Sequence, residues 1–237
     1  MNQLNQFTAF IRRCGWAFGI EIGRFQKSQN YLLHHKIDLV LDVGANIGQY
    51  GSRVRAEGYR NRIVSFEPLS SAYDILKNFA KSDKSWFIHE RCAVGSRLGE
   101  TEINISKNSY SSSLLPMCSI LSDAAPNTIY IGKDRTKIIN LDSIFGDYHN
   151  VGERVFLKVD TQGYEKEVLD GAKDCLKHIT GVQLELSVVP LYESQQLYDY
   201  FFQYMKEAGF YLWALVPGFS NEKSGQILQF DGIFFRP

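Results

Sequence analysis

The 237-residue chain carries no net formal charge and has only four cysteines, Cys14, Cys92, Cys118 and Cys175. Its 26 basic and 26 acidic side chains leave no broad basic footprint of the kind a nucleic-acid partner requires. The cysteines form no C-x-x-C pair, which argues against a zinc cluster and for reduced thiols in a cytoplasmic protein. No apolar run approaches the roughly 18 residues of a transmembrane segment. A secretory leader is not expected either, because Arg12 and Arg13 precede only the mixed segment Cys14 to Ile20, which Glu21 interrupts. With 44% hydrophobic residues, the length suits one large α/β domain with a substantial core.

A further absence lies within the stretch Leu39 to Tyr50, LVLDVGANIGQY. The apolar run Leu39-Val40-Leu41 has the pattern of a short buried parallel strand, with Asp42 at its carboxyl end. Gly44 and Gly48 bracket a tight turn, and Gln49 to Val54 continues as a helix. Strand, glycine turn and helix start make a nucleotide-type site. The middle glycine of G-x-G-x-x-G is missing, however, and Asn46 crowds the place of a pyrophosphate. An acid before the first glycine repels phosphate and attracts an ammonium or sulfonium group. Downstream, Ile63 to Phe66 reads as a second buried strand ending in Glu67, where an acid takes up ribose hydroxyls in a βαβ unit.

These blocks resemble the first two motifs of a class I S-adenosylmethionine-dependent methyltransferase. VLDVGANIGQY with VSFEP resembles more narrowly the FkbM family of methyltransferases. Phe156 to Ala172, FLKVDTQGYEKEVLDGA, resembles that family's K-x-D-x-x-G-x-E segment, and Gln229 to Phe234 resembles its ending. Where many relatives carry an acid, this chain has Gln162, which weakens any metal site drawn from the segment, and no metal is expected.

The resemblance implies an α/β, Rossmann-like class I methyltransferase fold. Its central sheet would be mostly parallel with a reversed C-terminal edge strand, helices on both faces and a small β insertion around residues 100–145. A helical cover over residues 1–35 would precede a single methyltransferase domain over 36–237. The implied cofactor is S-adenosyl-L-methionine, held by Asp42, Gly44, Ala45, Asn46, Gly48, Glu67 and Pro68, with Asp42 meeting the amino group. Cys92, Ala93 and Val94 would form the adenine edge. The implied reaction is O-methylation of a sugar, glycan or related natural product; the residues themselves support only a polar acceptor. Two alternatives stay open, a non-catalytic nucleotide-binding or glycan-assembly module and an NAD-dependent oxidoreductase, although the latter lacks its glycine pattern.

The remaining expectations follow the chain. Phe7, Phe10, Ile11, Trp16 and Phe18 allow the N-terminal helices to pack on the core, and Arg12, Arg13, Arg24 and Lys27 allow weak peripheral membrane contact. Ser70 and Ser71 offer N-caps to a helix whose Ala72, Ile75, Leu76 and Phe79 should face the sheet. Trp86 begins a third strand leading towards Val94, and His89 beside Glu90 reads as structural. Thr128 to Ile131 and Thr136 to Leu141 suggest two strands around Gly132-Lys133-Asp134. The hydroxyl-rich loop Asn108 to Ser113 makes Ser112 and Ser113 substrate candidates, as loops often carry binding.

Val155 to Val159 reads as the fourth core strand, and Asp160 at its end as the catalytic group that orients or deprotonates the acceptor. Glu165 would anchor the start of the next helix. Glu185, an acid in the apolar strand Gly181 to Leu186, is costly unless paired or facing a cleft, and is a substrate candidate. A helix over Gln195 to Lys206 and strands over Phe210 to Leu215 and Ile227 to Phe235 complete the chain. Tyr110, Tyr192, Trp213 and Phe219 could stack on a sugar face, although most aromatics are core.

Overall fold

The computed structural model describes residues 30–237. In chain order the elements are α1 (Tyr31–His34), β1 (Leu39–Val43), α2 (Gln49–Ala56), β2 (Arg62–Phe66), α3 (Ser70–Ala80) and β3 (Trp86–Ile88). There follow β4 (Cys92–Val94), β5 (Gly99–Ser106), α4 (Ser119–Ala124), β6 (Tyr130–Ile139), α5 (Leu141–Tyr148), β7 (Val155–Val159) and α6 (Glu165–Asp170). The last are β8 (Ile179–Ser187), α7 (Tyr198–Glu207), β9 (Tyr211–Pro217) and β10 (Gln229–Phe235). The helical cover expected over residues 1–35 lies outside the described residues up to residue 29, with Arg12, Arg13, Arg24 and Lys27; its end is α1. No described helix is long and apolar enough to cross a membrane.

Seven strands form the main sheet in the order β3-β2-β1-β7-β8-β10-β9. The pairs from β3 through β8 are parallel, and β10 runs antiparallel to both β8 and β9. The reversed strand therefore sits one place in from the edge, which β9 occupies. From β1 the chain winds outward through β2 to β3; from β7 it winds the other way to β8. The strand order reverses between β1 and β7, and ligands of open α/β sheets bind at such a point, beyond the strands' carboxyl ends.

Alternation along β1 produces two cores. Leu39, Leu41 and Val43 pack with Val168, Leu169, Phe201 and Met205 from α6 and α7. Val40 faces the opposite layer, with Tyr50, Val54 and Leu76 from α2 and α3. Side chains alternate along a strand, so Asp42 falls on the Val40 face, beneath α2. Each fully buried Val or Leu contributes about 1.5–3 kcal/mol by leaving water.

Several local expectations need correction. On α3 the buried positions are Ala72, Leu76 and Ala80, whereas Ile75 and Phe79 are exposed. The stripe that meets the sheet is i, i+4, i+8, and the two bulky residues lie beside it. Leu69, not a serine, is the N-cap, and Asp134 of β6 supplies the missing acceptor by taking a 2.8 Å hydrogen bond from Ser70 N–H.

Residues 130–139 form one strand, with no turn at Gly132-Lys133-Asp134. Antiparallel pairing with β5, unbroken from Gly132 to Ile138 and shifted in register only at Ile131, holds them extended, and Asp134 is tied to Arg91 at 3.3 Å. The expected third strand divides in two: β3 lies at the edge of the main sheet, and β4 pairs with β6 in a separate three-stranded sheet. Helix α5 was not expected; Asn140 caps it by accepting from Ser143 N–H at 2.9 Å.

Candidate active site

The turn after β1 is built against β2. Gly44 and Ala45 N–H groups both donate to the Phe66 carbonyl at 3.1 Å. Gly44 (φ +72°) and Asn46 (φ +48°) take left-handed conformations, which turn the Asn46 N–H towards Glu67. Glu67 Oε2 accepts that N–H at 2.7 Å, and Oε1 accepts the Leu69 N–H at 2.8 Å. Burial pushes the Glu67 carboxyl up to about 7, opposed by these two N–H groups and by the Lys158 charge. Each oxygen keeps a lone pair for a hydroxyl donor.

A second layer lies across the reversal point. Lys158, buried in the middle of the sheet, sets its ammonium 3.3 Å from Asp42 and 3.5 Å from Asp160. The same nitrogen donates to the Gly44 carbonyl at 3.0 Å, so the cofactor-side turn and Asp160 share one cation. Burial opposes the charge, but Asp160 and Asp42 outweigh it and hold Lys158 well above its ordinary value. Ser65 Oγ donates to Asp42 Oδ2 at 3.0 Å and accepts from the Trp86 indole N–H at the same distance.

The third group stands on the turn after β7. Gln162, at φ +55°, donates from its amide nitrogen to Asp160 Oδ1 at 3.0 Å and Glu185 Oε2 at 2.5 Å. Tyr192 OH donates to the Gln162 oxygen at 2.7 Å, which fixes the amide's orientation. Gln229 also donates to Glu185 Oε2, at 2.8 Å. Burial, then Asp160 and Glu165, push Glu185 well above the usual carboxylate range and favour its protonated form. Glu165 anchors the turn itself, its Oε1 accepting from the N–H groups of Thr161 at 2.9 Å and Gly163 at 3.2 Å.

Glu67, Lys158, Asp160, Gln162 and Glu185 line one cavity of about 380 Å³, within the usual range for small-molecule sites. Of the sequence candidates, Gly44, Ala45, Asn46, Glu67, Pro68, Cys92, Ala93, Val94, Ser112, Asp160 and Glu185 lie on its wall. Three do not. Asp42 has no exposed surface and is sealed behind Lys158, so it cannot meet a cofactor amino group directly. Gly48 is the N-cap of α2, and a side chain there would strike Leu76 at 2.9 Å and Trp86 at 3.1 Å. Ser113 donates to the Gln162 carbonyl at 2.7 Å and supports the turn from outside the cavity.

Among the aromatics, Tyr110 reaches the wall, Tyr192 is wholly buried behind it, and Trp213 packs on His35 and Phe235 instead. His89 bonds Tyr148 OH at 2.6 Å and is not on the wall of this cavity.

Sequence reasoning missed Lys158, Arg53, Gln183 and Asp231, all on the wall. The signal for Lys158 and Asp231 was the same one used for Glu185: a charged residue inside an otherwise apolar strand.

The donor set suits S-adenosyl-L-methionine. Phe66, Val94, Ile103 and Leu114 offer an apolar slot beside Glu67, and Asp160 and Asp231 supply negative charge for a sulfonium and an ammonium. A mostly parallel sheet whose reversal point carries such a cavity defines the class: a Rossmann-like S-adenosylmethionine-dependent methyltransferase. The model of the family described as Methyltransferase FkbM domain matches residues 42–212, and the chain belongs to that family.

The solved structures similar to it include a TehB-like SAM-dependent methyltransferase from Corynebacterium glutamicum, at 10% identity with all of both chains covered and a TM-score of 0.41. An rRNA methylase from Streptococcus thermophilus shares 9% identity over 91% of this chain and 98% of its own, with a TM-score of 0.47. Aeropyrum pernix fibrillarin with bound S-adenosyl-L-methionine shares 10% identity over 83% of this chain and 66% of its own, with a TM-score of 0.46. A comparison with curated proteins gives no match.

Proposed function

We propose that the chain methylates a hydroxyl group on an uncharged, polyhydroxylated acceptor: a sugar, a glycan or a related natural product. The observation that supports this most directly is a second hollow of about 520 Å³ that adjoins the first at Tyr110, Gln162 and Glu185. Asn108, Ser111, Asn127 and Gln229 give it amides and a hydroxyl, and Tyr110 and Phe219 give it aromatic faces. No lysine, arginine or histidine is among its described lining residues, so a phosphate-rich acceptor such as nucleic acid would meet no counter-charge there. The unpaired thiols Cys92, Cys118 and Cys175 accord with a cytoplasmic setting.

In this reading Glu67 accepts the ribose hydroxyls, and the backbone of Gly44 to Asn46 forms the floor under the methionine part. The cofactor supplies an electrophilic methyl group. Glu185, whose neutral form burial favours, has both amide donors on Oε2 and leaves Oε1 to orient the acceptor. Asp160, steadied by Lys158 and Gln162, takes the hydroxyl proton as the oxygen closes to about 3 Å from the methyl carbon.

Substituting Asp160→Asn should lower kcat by about 10²–10⁴-fold. Calorimetric titration with S-adenosylhomocysteine should stay at the wild-type value. The assay is release of S-adenosylhomocysteine across a panel of neutral glycosides and their phosphate esters. Normal turnover by the variant would sink the assignment of Asp160, and a preference for the phosphate esters would sink the acceptor class.

A further inference from the structure

With Asp42 sealed behind Lys158, the cofactor's amino-acid part must find its charged partners elsewhere on the wall. Asp42, Asp160 and Asp231, with Glu185 held towards its neutral form beside them, share a single buried cation, Lys158, which is already committed to Asp42 and Asp160. Two opposite charges on the same cavity are not paired with each other. Arg53 stands on α2 at the cavity mouth, its guanidinium 5.3 Å from the centre of the Tyr50 ring. It makes no ion pair among the described residues. Asp231 projects from β10 opposite Glu185 of β8, half-buried, and likewise forms no ion pair among the described residues. Burial and then Asp160 raise its carboxyl, while Lys158, a hydrogen bond from Gln183 and lastly Arg53 pull it back.

A cation and an anion that share a cavity without touching are what a zwitterion bridges. We propose that Arg53 and Asp231 form a clamp for the amino-acid part of S-adenosylmethionine, Arg53 taking the α-carboxylate and Asp231 the α-ammonium. A guanidinium suits this because its planar fork matches a carboxylate in a bidentate pair. Asp231 suits its role because the local surplus of carboxylates already favours a cation. The clamp rests on the cofactor lying in this cavity, and its test separates the two claims.

Three probes are titrated calorimetrically: S-adenosylhomocysteine, its analogue lacking only the α-carboxylate, and 5′-methylthioadenosine, which has no amino-acid part. Arg53→Met should weaken S-adenosylhomocysteine about tenfold and leave the other two unchanged. Asp231→Asn should weaken both amine-bearing probes to a similar degree and leave 5′-methylthioadenosine unchanged. Arg53→Lys should recover part of the loss. Unchanged S-adenosylhomocysteine affinity in either variant would overturn the clamp, as would an equal loss for 5′-methylthioadenosine. If the wild-type chain binds none of the three, the cofactor placement falls and takes the clamp with it.

Discussion

The Cα of Gly44 faces the carbonyl oxygen of Asp160 so closely that a Cβ on it would lie 1.9 Å from that oxygen. The glycine of the first motif is thus required by the backbone of the second, across the reversal point of the sheet, in addition to its φ of +72°. Gly44→Ala should therefore destabilise the chain by at least about 2 kcal/mol, since left-handed strain and the clash act together. Urea unfolding measures this, and a midpoint equal to wild type would contradict the described turn.

Lys158 compensates a carboxylate that has no route to water. Removing one partner of a buried pair leaves the other charge unpaired, at a cost of about 3–5 kcal/mol. Lys158→Met should lose stability on that scale, and adding Asp42→Asn should restore a substantial part. The double-mutant cycle is read by denaturant unfolding. Simple additivity of the two changes would show that the pair is not coupled.

The parts of the fold legible in sequence were those set by short-range pattern. The runs ending at Asp42, Glu67 and Asp160 read as strands because they are buried on both faces, and the sheet confirms them as β1, β2 and β7. What failed depended on partners distant in the chain. Gly132-Lys133-Asp134 has the composition of a turn, but pairing with β5 keeps it straight. Asp42 read as a ligand group because nothing local reveals that Lys158 stands between it and the cavity. Arg53 and Asp231 escaped notice because α2 and β10, far apart in the chain, line one cavity only once folded. Gln162 read merely as the loss of an acid, whereas its amide ties Asp160 to Glu185.

Glu67 also makes cofactor affinity depend on pH. Ribose hydroxyls donate more strongly to a carboxylate than to a carboxylic acid, so binding favours the ionised form. With the free carboxyl at about 7, affinity for S-adenosylhomocysteine should fall as pH drops below that value, by at most about tenfold per unit. Glu67→Gln should bind more weakly at pH 8 and lose the slope. Calorimetry near neutral pH in buffers of different ionisation enthalpy should show proton release on binding. Absence of release, with a flat wild-type profile, would remove Glu67 from the ribose site.

Glu165 supplies a second pH dependence, this time of folding. Burial pushes its carboxyl up to about 7, despite the Thr161 hydrogen bonds that hold the ionised form. Between the unfolded value near 4.3 and about 7, the native chain binds a proton that the unfolded chain has released. Stability from this group is therefore full below about 4.3 and falls as pH rises through that window, by up to about 4 kcal/mol. Glu165→Gln keeps an acceptor for the N–H groups of Thr161 and Gly163 and has no proton to lose. The variant should gain stability relative to wild type as pH rises from 5 to 8, with the two curves converging on the acid side. Urea midpoints across that range decide it: a constant difference between the two chains would show that Glu165 folds with its ordinary acidity.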